Sequence, residues 1–322
     1  MRVLVTGGAG YIGAHVARAL HGSGHDVGVI DDFSTGERRR LAAHTQVFKG
    51  SVLDTGFVKT SLRDFAADAV VHIAAKKAVD ESVANPLFYY RENVTGMQSV
   101  LEAMVGAGTR RILFSSSAAV YGERVASPVT EETPTIPSSP YGWTKLIGEQ
   151  IISDVAAAHG LSWSALRYFN VAGAAASELA DRGENNLIPK VFRAISSDVH
   201  PKVFGDDYPT PDGSCIRDYI HVEDVADAHA TVLNQMAATD MTAVYNIGTG
   251  TGTSVLEIMA AVRQVTGRHF DYDVIGRRPG DPPDVVADPA KIRLELGWES
   301  RRDLHDTVHS AWQAWTDLTS RP

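Results

Sequence analysis

The chain holds one cysteine in 322 residues, Cys215, so no disulfide can close within it and an oxidising compartment gains no support. That thiol lies in the run Ser214-Cys215-Ile216 and reads as a small buried hydrophobe rather than a nucleophile. Long apolar runs are missing too, and none approaches the roughly 20 residues that cross a bilayer. The opening Met1-Arg2-Val3-Leu4-Val5 turns polar and glycine-rich by residue 6, which is too short for a signal-peptide core. The expected location is the cytoplasm. Positive charge is scarce: 30 Lys and Arg stand against 39 Asp and Glu, a net charge of −9, which excludes a nucleic-acid-binding face. The only basic run, Arg38-Arg39-Arg40, reads as a solvated face, with one arginine near a phosphate as the alternative. An acidic protein that takes an anionic ligand must rely on a few placed cations. Internal repeats and low-complexity tracts are absent. The 12 histidines show no paired ligand spacing, so no metal is expected, and His72, His221 and His229 read as packing or hydrogen-bonding groups.

What is present is an ordinary globular composition, 44% apolar and 21% charged. Short β-branched runs at 2–6, 26–30, 46–49, 69–73, 110–114 and 162–169 alternate with amphipathic stretches near 12–22, 54–66, 87–106 and 140–159. Strands that are almost continuously Val, Ile and Leu suit a sheet covered on both faces, and the alternation implies parallel βαβ units. The expected fold is therefore α/β: a doubly wound parallel sheet of the Rossmann type over 1–169. A smaller C-terminal α/β substrate lobe is expected over 170–322, with some chain returning to the first domain. Strand-like 244–247, helical 254–265, a Pro-rich 278–283 and two closing helical patterns make up that lobe.

Two local patterns carry chemistry. The first is Thr6-Gly7-Gly8-Ala9-Gly10-Tyr11-Ile12-Gly13, between the first strand and the first helix. Glycines there allow a tight turn and let backbone N–H groups meet a pyrophosphate at a helix N-terminus. Asp31 closes the second strand 18 residues beyond Gly13, where an acid accepts from an adenosine ribose and disfavours a 2′-phosphate. NAD is favoured over NADP. The second is Tyr141 and Lys145, four apart on one face of a helix that Ser139 caps and Pro140 starts. A tyrosine acts as a base near neutral pH only if its pKa falls about three units, which asks for about 4 kcal/mol of differential stabilisation. A neighbouring ammonium, helped by a positive nicotinamide, supplies stabilisation of that sign. None of the other nine tyrosines has a lysine four residues on, and the preceding βα unit ends in Phe114-Ser115-Ser116-Ser117, where Ser117 is placed to share a proton.

With these motifs the sequence resembles the extended short-chain dehydrogenase/reductase family and, within it, the UDP-glucose 4-epimerases. The resemblance runs from residue 1 to about 315. It rests on TGGAGYIG (6–13), KAVDESVANPLFYYRENVTG (77–96), FSSSAAVYG (114–122), SPYGWTK (139–145), LRYFNVAGA (166–174), NNLIP (185–189), VFGDDYPTPDGSCIRDYIHVEDVADAH (203–229), YNIGTGTG (245–252) and RRPGDPPDVVAD (277–288). It implies NAD-dependent inversion at C4 of a UDP-hexose, interconverting UDP-galactose and UDP-glucose through a UDP-4-keto-hexose. Tyr141 would be the general base and acid, Ser117 its assistant, and Lys145 the residue that tunes it and binds the nicotinamide ribose. Gly7, Gly10, Tyr11, Ile12, Gly13, Asp31, Asp32, Val52, Lys77, Asn93 and Tyr168 would contact NAD. Asn170, Asn186, Leu187, Phe204, Arg217, Tyr219, Arg278 and Asp281 would line the UDP site, with the two arginines on the diphosphate. A homodimer pairing through 87–106 and 140–159 is also implied.

The chain departs from the family pattern in three places. Ser51 follows Gly50 where the family has an Asp that touches adenine. Ala118-Ala119 stand where a related 4,6-dehydratase shows an Asp-Glu acid/base pair, which counts against dehydration. Val285 takes the position of a bulky tyrosine in members restricted to glucose and galactose, so room for a 2-N-acetyl group is expected. The rivals are a UDP-glucuronate epimerase or decarboxylase, which would need a cation for the C6 carboxylate, and a non-catalytic nucleotide sensor, a class that commonly loses the Tyr–Lys pair.

Overall fold

The computed structural model describes residues 1–123, 127–183, 186–278 and 281–319. The chain forms two compact units, the first from 1–122, 134–168 and 226–245, the second from 123–133, 169–225 and 246 onward. In chain order the first unit begins with β1 (Arg2–Thr6), α1 (Tyr11–Gly22), β2 (Asp26–Asp31), β3 (Gln46–Lys49), α2 (Thr55–Phe65) and β4 (Ala69–His72). It continues with α3 (Val79–Ala84), α4 (Pro86–Tyr89), α5 (Gly96–Ala107), β5 (Arg111–Ser117), α6 (Pro140–His159) and β6 (Ser162–Tyr168). Beyond these come β7 (Asn170–Ala172), α7 (Leu187–Ser196), β8 (Lys202–Phe204), β9 (Ile216–His221), α8 (Val222–Ala238) and β10 (Thr242–Ile247). The last elements are β11 (Gly252–Ser254), α9 (Val255–Thr266), β12 (Asp273–Ile275), β13 (Asp284–Val285), α10 (Ala290–Leu296) and α11 (Leu304–Thr319).

The main sheet has the order β10-β6-β5-β4-β1-β2-β3. Neighbours from β6 to β3 pair in parallel, with Val3 opposite both Val27 and Ala69. Val3, Leu4, Val5, Val70, Val71, Ile112 and Leu113 are essentially inaccessible, as continuous apolar strands must be when helices cover both faces. On one face Leu62 and Phe65 of α2, Met97, Leu101 and Met104 of α5 and Ile152 of α6 complete the core. Chain order reverses between β1 and β4, the kind of switch point at which such sheets open a ligand crevice beyond the strand ends. There Thr6 Oγ1 meets His72 Nδ1 at 2.8 Å across the paired ends of the two strands.

Two expectations about elements are corrected. The stretch 87–106 is not one α-helix: Pro86 starts a short turn, residues Tyr90–Thr95 take the wider π form, and α5 follows, while α3 precedes them unexpectedly. The widened turn sets Asn93 against the Lys76 backbone, a use typical of π-segments near functional sites. The strand expected at 110–114 extends to Ser117, because Ser115, Ser116 and Ser117 pair with Leu166, Arg167 and Tyr168 of β6. Ser139 caps α6 through the Gly142 amide at 3.2 Å, with Pro140 in its first turn.

In the second unit β9 pairs with β11, β13 and β7, and β8 pairs with β12. Ile188, Val191 and Phe192 of α7, Ile258 and Val262 of α9 and Val308 of α11 form its core.

Burial holds His72 down to about 3, with the Lys145 charge pushing the same way. An unfolded chain would protonate it near 6.5, so the unfolded state binds the extra proton between about pH 3 and 6.5 and stability rises with pH across that window. His72→Asn is expected to remove a slope of up to about 1.4 kcal/mol per pH unit there, read from urea denaturation at a series of pH values against wild type.

Candidate active site

The glycine turn packs so closely that side chains are excluded from it. A Cβ on Gly13 would lie 2.1 Å from the Gly7 carbonyl oxygen, and Gly7 sits at φ +68° with Ala74 nitrogen 2.7 Å from a built Cβ. Gly10 is the N-cap of α1 and offers its first turn no side-chain acceptor. The first N–H groups of an α-helix lack intrahelical partners, so this end presents donors and a positive dipole to an anion. Asp31 ends β2, accepting from the Ala9 amide at 2.9 Å and the Phe33 amide at 2.8 Å. Burial pushes its carboxyl up, and those two amides pull it back. A buried carboxylate here leaves lone pairs for ribose hydroxyls and repels a 2′-phosphate. The residues present thus fit a dinucleotide without the extra phosphate.

The remaining residues expected at the cofactor fall as follows. Tyr11 is buried edge-on to His15, with the Lys77 ammonium 5.9 Å from its ring centre, and Ile12 is half-buried beside it. Asp32 accepts from the Ser34 amide at 2.8 Å, and Val52 packs half-buried on the first core. Asn93 spends its amide on the protein: it accepts from the Lys76 N–H at 2.8 Å and donates to the Lys76 carbonyl at 2.9 Å and to Thr144 Oγ1 at 3.0 Å. It therefore fixes the segment that carries Lys77.

Tyr141 and Lys145 lie buried on one face of α6, and that face meets the three serines of β5. The Ser117 hydroxyl is near enough to the Tyr141 phenol to favour its ionised form. Lys145 Nζ donates to the Ser115 carbonyl at 2.7 Å and lies 4.9 Å from the Phe114 ring centre and 5.9 Å from that of Tyr141. Tyr168, at the end of β6, shares a hydrogen bond with Ser115, whose hydroxyl also meets His229 Nε2 at 3.1 Å. Burial raises the Tyr141 phenol above its ordinary range, and the nearby Ser117 hydroxyl recovers part of this. Lys145 is itself held down to about 7 by burial, the Glu149 carboxylate pulling the other way.

In the second unit the expected substrate residues come together in small groups. Asn170 of β7 stands opposite Tyr219 of β9 and hydrogen-bonds it. Arg217 of β9 donates to Asp281 at 3.1 Å, and Val285 of β13 pairs with Arg217 in register. The Arg278 guanidinium lies 3.7 Å over the Phe204 ring. Asn186 donates to Asp181 at 2.5 Å at the start of α7, and Leu187 rests on the second core. Asn185 of the NNLIP motif and Pro279-Gly280 of the last one lie outside the described residues. Among the described residues, Asp303, His305 and Asp306 have donor atoms close enough for a cation, but all three are exposed and the two aspartates cap one another's amides.

Sequence reasoning passed over a buried ion pair next to the catalytic face. Arg167 of β6 grips Glu149 of α6 with Nε at 3.0 Å and Nη2 at 2.6 Å, and Nη1 donates to Tyr121 Oη at 3.0 Å. Ser116 donates to the same carboxylate at 2.5 Å. The available signal was spacing: Tyr141, Lys145 and Glu149 recur every four residues on one helical face.

A glycine-cradled helix end, an acid closing the second strand and a tyrosine–lysine pair beside the strand serines define a dinucleotide-dependent enzyme of the doubly wound class. The chain belongs to the NAD dependent epimerase/dehydratase family, whose model matches residues 3–248. It is 45% identical to a UDP-glucose 4-epimerase of Lactobacillus helveticus, over 97% of this chain and 96% of that one. A UDP-glucose 4-epimerase of Bifidobacterium longum, solved in complex with NAD+ and UDP, superposes with a TM-score of 0.93 at 37% identity, covering 99% of both chains. The UDP-Glc/GlcNAc 4-epimerase of Campylobacter jejuni superposes at 0.86 with 35% identity, covering 98% of this chain and 99% of that one.

The glycine geometry sets a graded expectation. Gly13→Ala should lower stability by about 1–3 kcal/mol in urea denaturation, as overpacking does. Gly10→Ala, whose Cβ would meet nothing closer than 3.2 Å, should cost less.

Proposed function

We propose that this protein interconverts UDP-galactose and UDP-glucose through a UDP-4-keto-hexose, with NAD as its cofactor and Tyr141 as general base and acid. The observation that carries this reading is the grouping of buried Tyr141 and Lys145 of α6 with half-buried Ser117 of β5. The activity printed for the relatives, UDP-glucose 4-epimerase, supports the substrate. NAD, when bound, would supply the redox chemistry, a reversible hydride transfer at C4 of the sugar. Gly7, Gly10, Tyr11, Ile12 and Gly13 would hold its diphosphate, Asp31 and Asp32 its adenosine end with Val52 nearby, and Lys77, Lys145 and Tyr168 the nicotinamide half, with Asn93 fixing the segment that carries Lys77.

Tyr141 Oη removes the C4 hydroxyl proton, and the Ser117 hydroxyl shares it. Burial opposes a phenolate, so the base works only while positive charge stands beside it. Lys145, held to about 7, is still substantially protonated at neutral pH and provides part of that charge. On the return, Tyr141 gives the proton back to the C4 oxygen. Arg217 and Arg278 hold the diphosphate of the substrate by charge-assisted hydrogen bonds, with Asp281 orienting Arg217. Asn170, Asn186, Leu187, Phe204 and Tyr219 hold the rest of the UDP and leave the sugar free to turn.

UDP-GalNAc and UDP-GlcNAc are also substrates in this reading. Val285 sits beside Arg217 in the β9–β13 pairing, and a small side chain there leaves volume for the N-acetyl group. The protein works as a homodimer in the cytoplasm. Among the described residues no helix is long and apolar enough to cross a membrane. Leu87, 82% exposed on α4, and Trp143, 42% exposed on α6, offer apolar contacts on the segments expected to pair.

A coupled assay forming UDP-glucose from UDP-galactose tests the reading. Tyr141→Phe is expected to lower kcat by about 10²–10⁴-fold; inactive wild-type protein would overturn the activity, and a fully active variant the role of Tyr141. Val285→Tyr should abolish UDP-GalNAc conversion while sparing UDP-galactose. Absence of UDP-GalNAc turnover in wild type would remove the N-acetyl substrates.

A further inference from the structure

Lys145 is surrounded by groups that carry no negative charge. Tyr141 shares its helix, His72 of β4 is neutral, the Phe114 ring and the Ser115 carbonyl come from β5, and Tyr168 of β6 and His229 of α8 reach the Ser115 hydroxyl. Among the described residues, Glu149 is the carboxylate that acts on Lys145, a turn further along α6. It is no loose surface acid. Arg167 binds it with two nitrogens, Ser116 donates to it, and the whole group is shut off from solvent. The same carboxylate therefore has two duties. Through Ser116 it ties α6 to β5 one residue from Ser117, and it stands one helical turn beyond the lysine on α6.

We propose that Glu149, locked in place by Arg167 and Ser116, is a positioning residue for proton transfer: it keeps Lys145 charged and holds the Tyr141 face of α6 against Ser117. This deepens the proposed epimerase reading and rests on it. A buried ammonium without a compensating anion gives up its proton. Arg167 alone cannot take over, since its charge has the same sign as that of the lysine.

The test uses the whole chain with its bound cofactor and follows kcat and KM for UDP-galactose against pH. In wild type the alkaline fall in kcat reports loss of the Lys145 proton. Glu149→Gln should move that fall to lower pH by about one unit, a loss of kcat of about fivefold at the wild-type midpoint that approaches tenfold well above it. KM should stay near wild type. Ser116→Ala keeps the charge, and should lower kcat several-fold without moving the midpoint.

The single variant leaves Arg167 unpaired in the interior and can unfold for that reason alone. Glu149→Gln with Arg167→Met removes both charges, and apolar replacement of a buried pair is commonly tolerated. Urea denaturation should show this double variant near wild-type stability, with the alkaline limb still displaced. A limb unmoved in the folded double variant, with kcat unchanged, overturns the proposal. Wild-type protein that lacks epimerase activity would instead overturn the reading beneath it, so the two failures are distinct.

Discussion

Everything the site does depends on how one helix is fastened to one strand. α6 presents Tyr141, Lys145 and Glu149 at four-residue intervals, and β5 answers with Ser117, the carbonyl of Ser115 and the hydroxyl of Ser116. The Lys145–Ser115 and Glu149–Ser116 links are short, buried and polar, so each is strong when made and costly to leave open. Together they set which side chain of the helix faces which residue of the strand. A helix held only by its apolar side could slide or roll by a fraction of a turn. This one cannot do so without exposing donors and acceptors to a dry interior.

That dryness has an electrostatic consequence. Tyr141, Tyr168 and Lys145 are all pushed toward their neutral forms, and His72 is kept neutral at the floor of the same region. A site tuned in this way resists charge until a partner charge arrives, and the low polarity that opposes ionisation then magnifies the attraction between the two. Arg167 and Glu149 are the exception, a pair that carries its own compensation in the same interior.

Much of this was readable before any coordinates. The strands of the first sheet were marked by β-branched runs, because burial on both faces leaves no polar alternation to confuse. The start of α6 was marked by Ser139 and Pro140, whose effects are local. What could not be read is non-local. The π-turn at Tyr90–Thr95 exists because Asn93 must reach Lys76 and Thr144, and nothing within six residues reveals that distant need. The strand β5 outlasts its apolar run because β6 offers three serines a pairing edge. Glu149 stood at legible helical spacing, but its importance comes from Arg167, which lies on another element. The electrostatics around Tyr141 are non-local for a related reason: spacing puts a lysine near a phenol, but only the packed interior decides how much charge that lysine retains.

The way the chain is shared between its two units carries a further consequence. The polypeptide passes between them after residues 122, 133, 168, 225 and 245, so each unit is assembled from three separated lengths of chain. Neither can be cut out as one uninterrupted fragment or exchanged between relatives as a cassette. A hybrid enzyme that borrowed only the specificity of a relative would need several short grafts, in which strands such as β10 stay with the parent sheet. The two units are in this sense a single inherited object, built by one chain that threads back and forth between them.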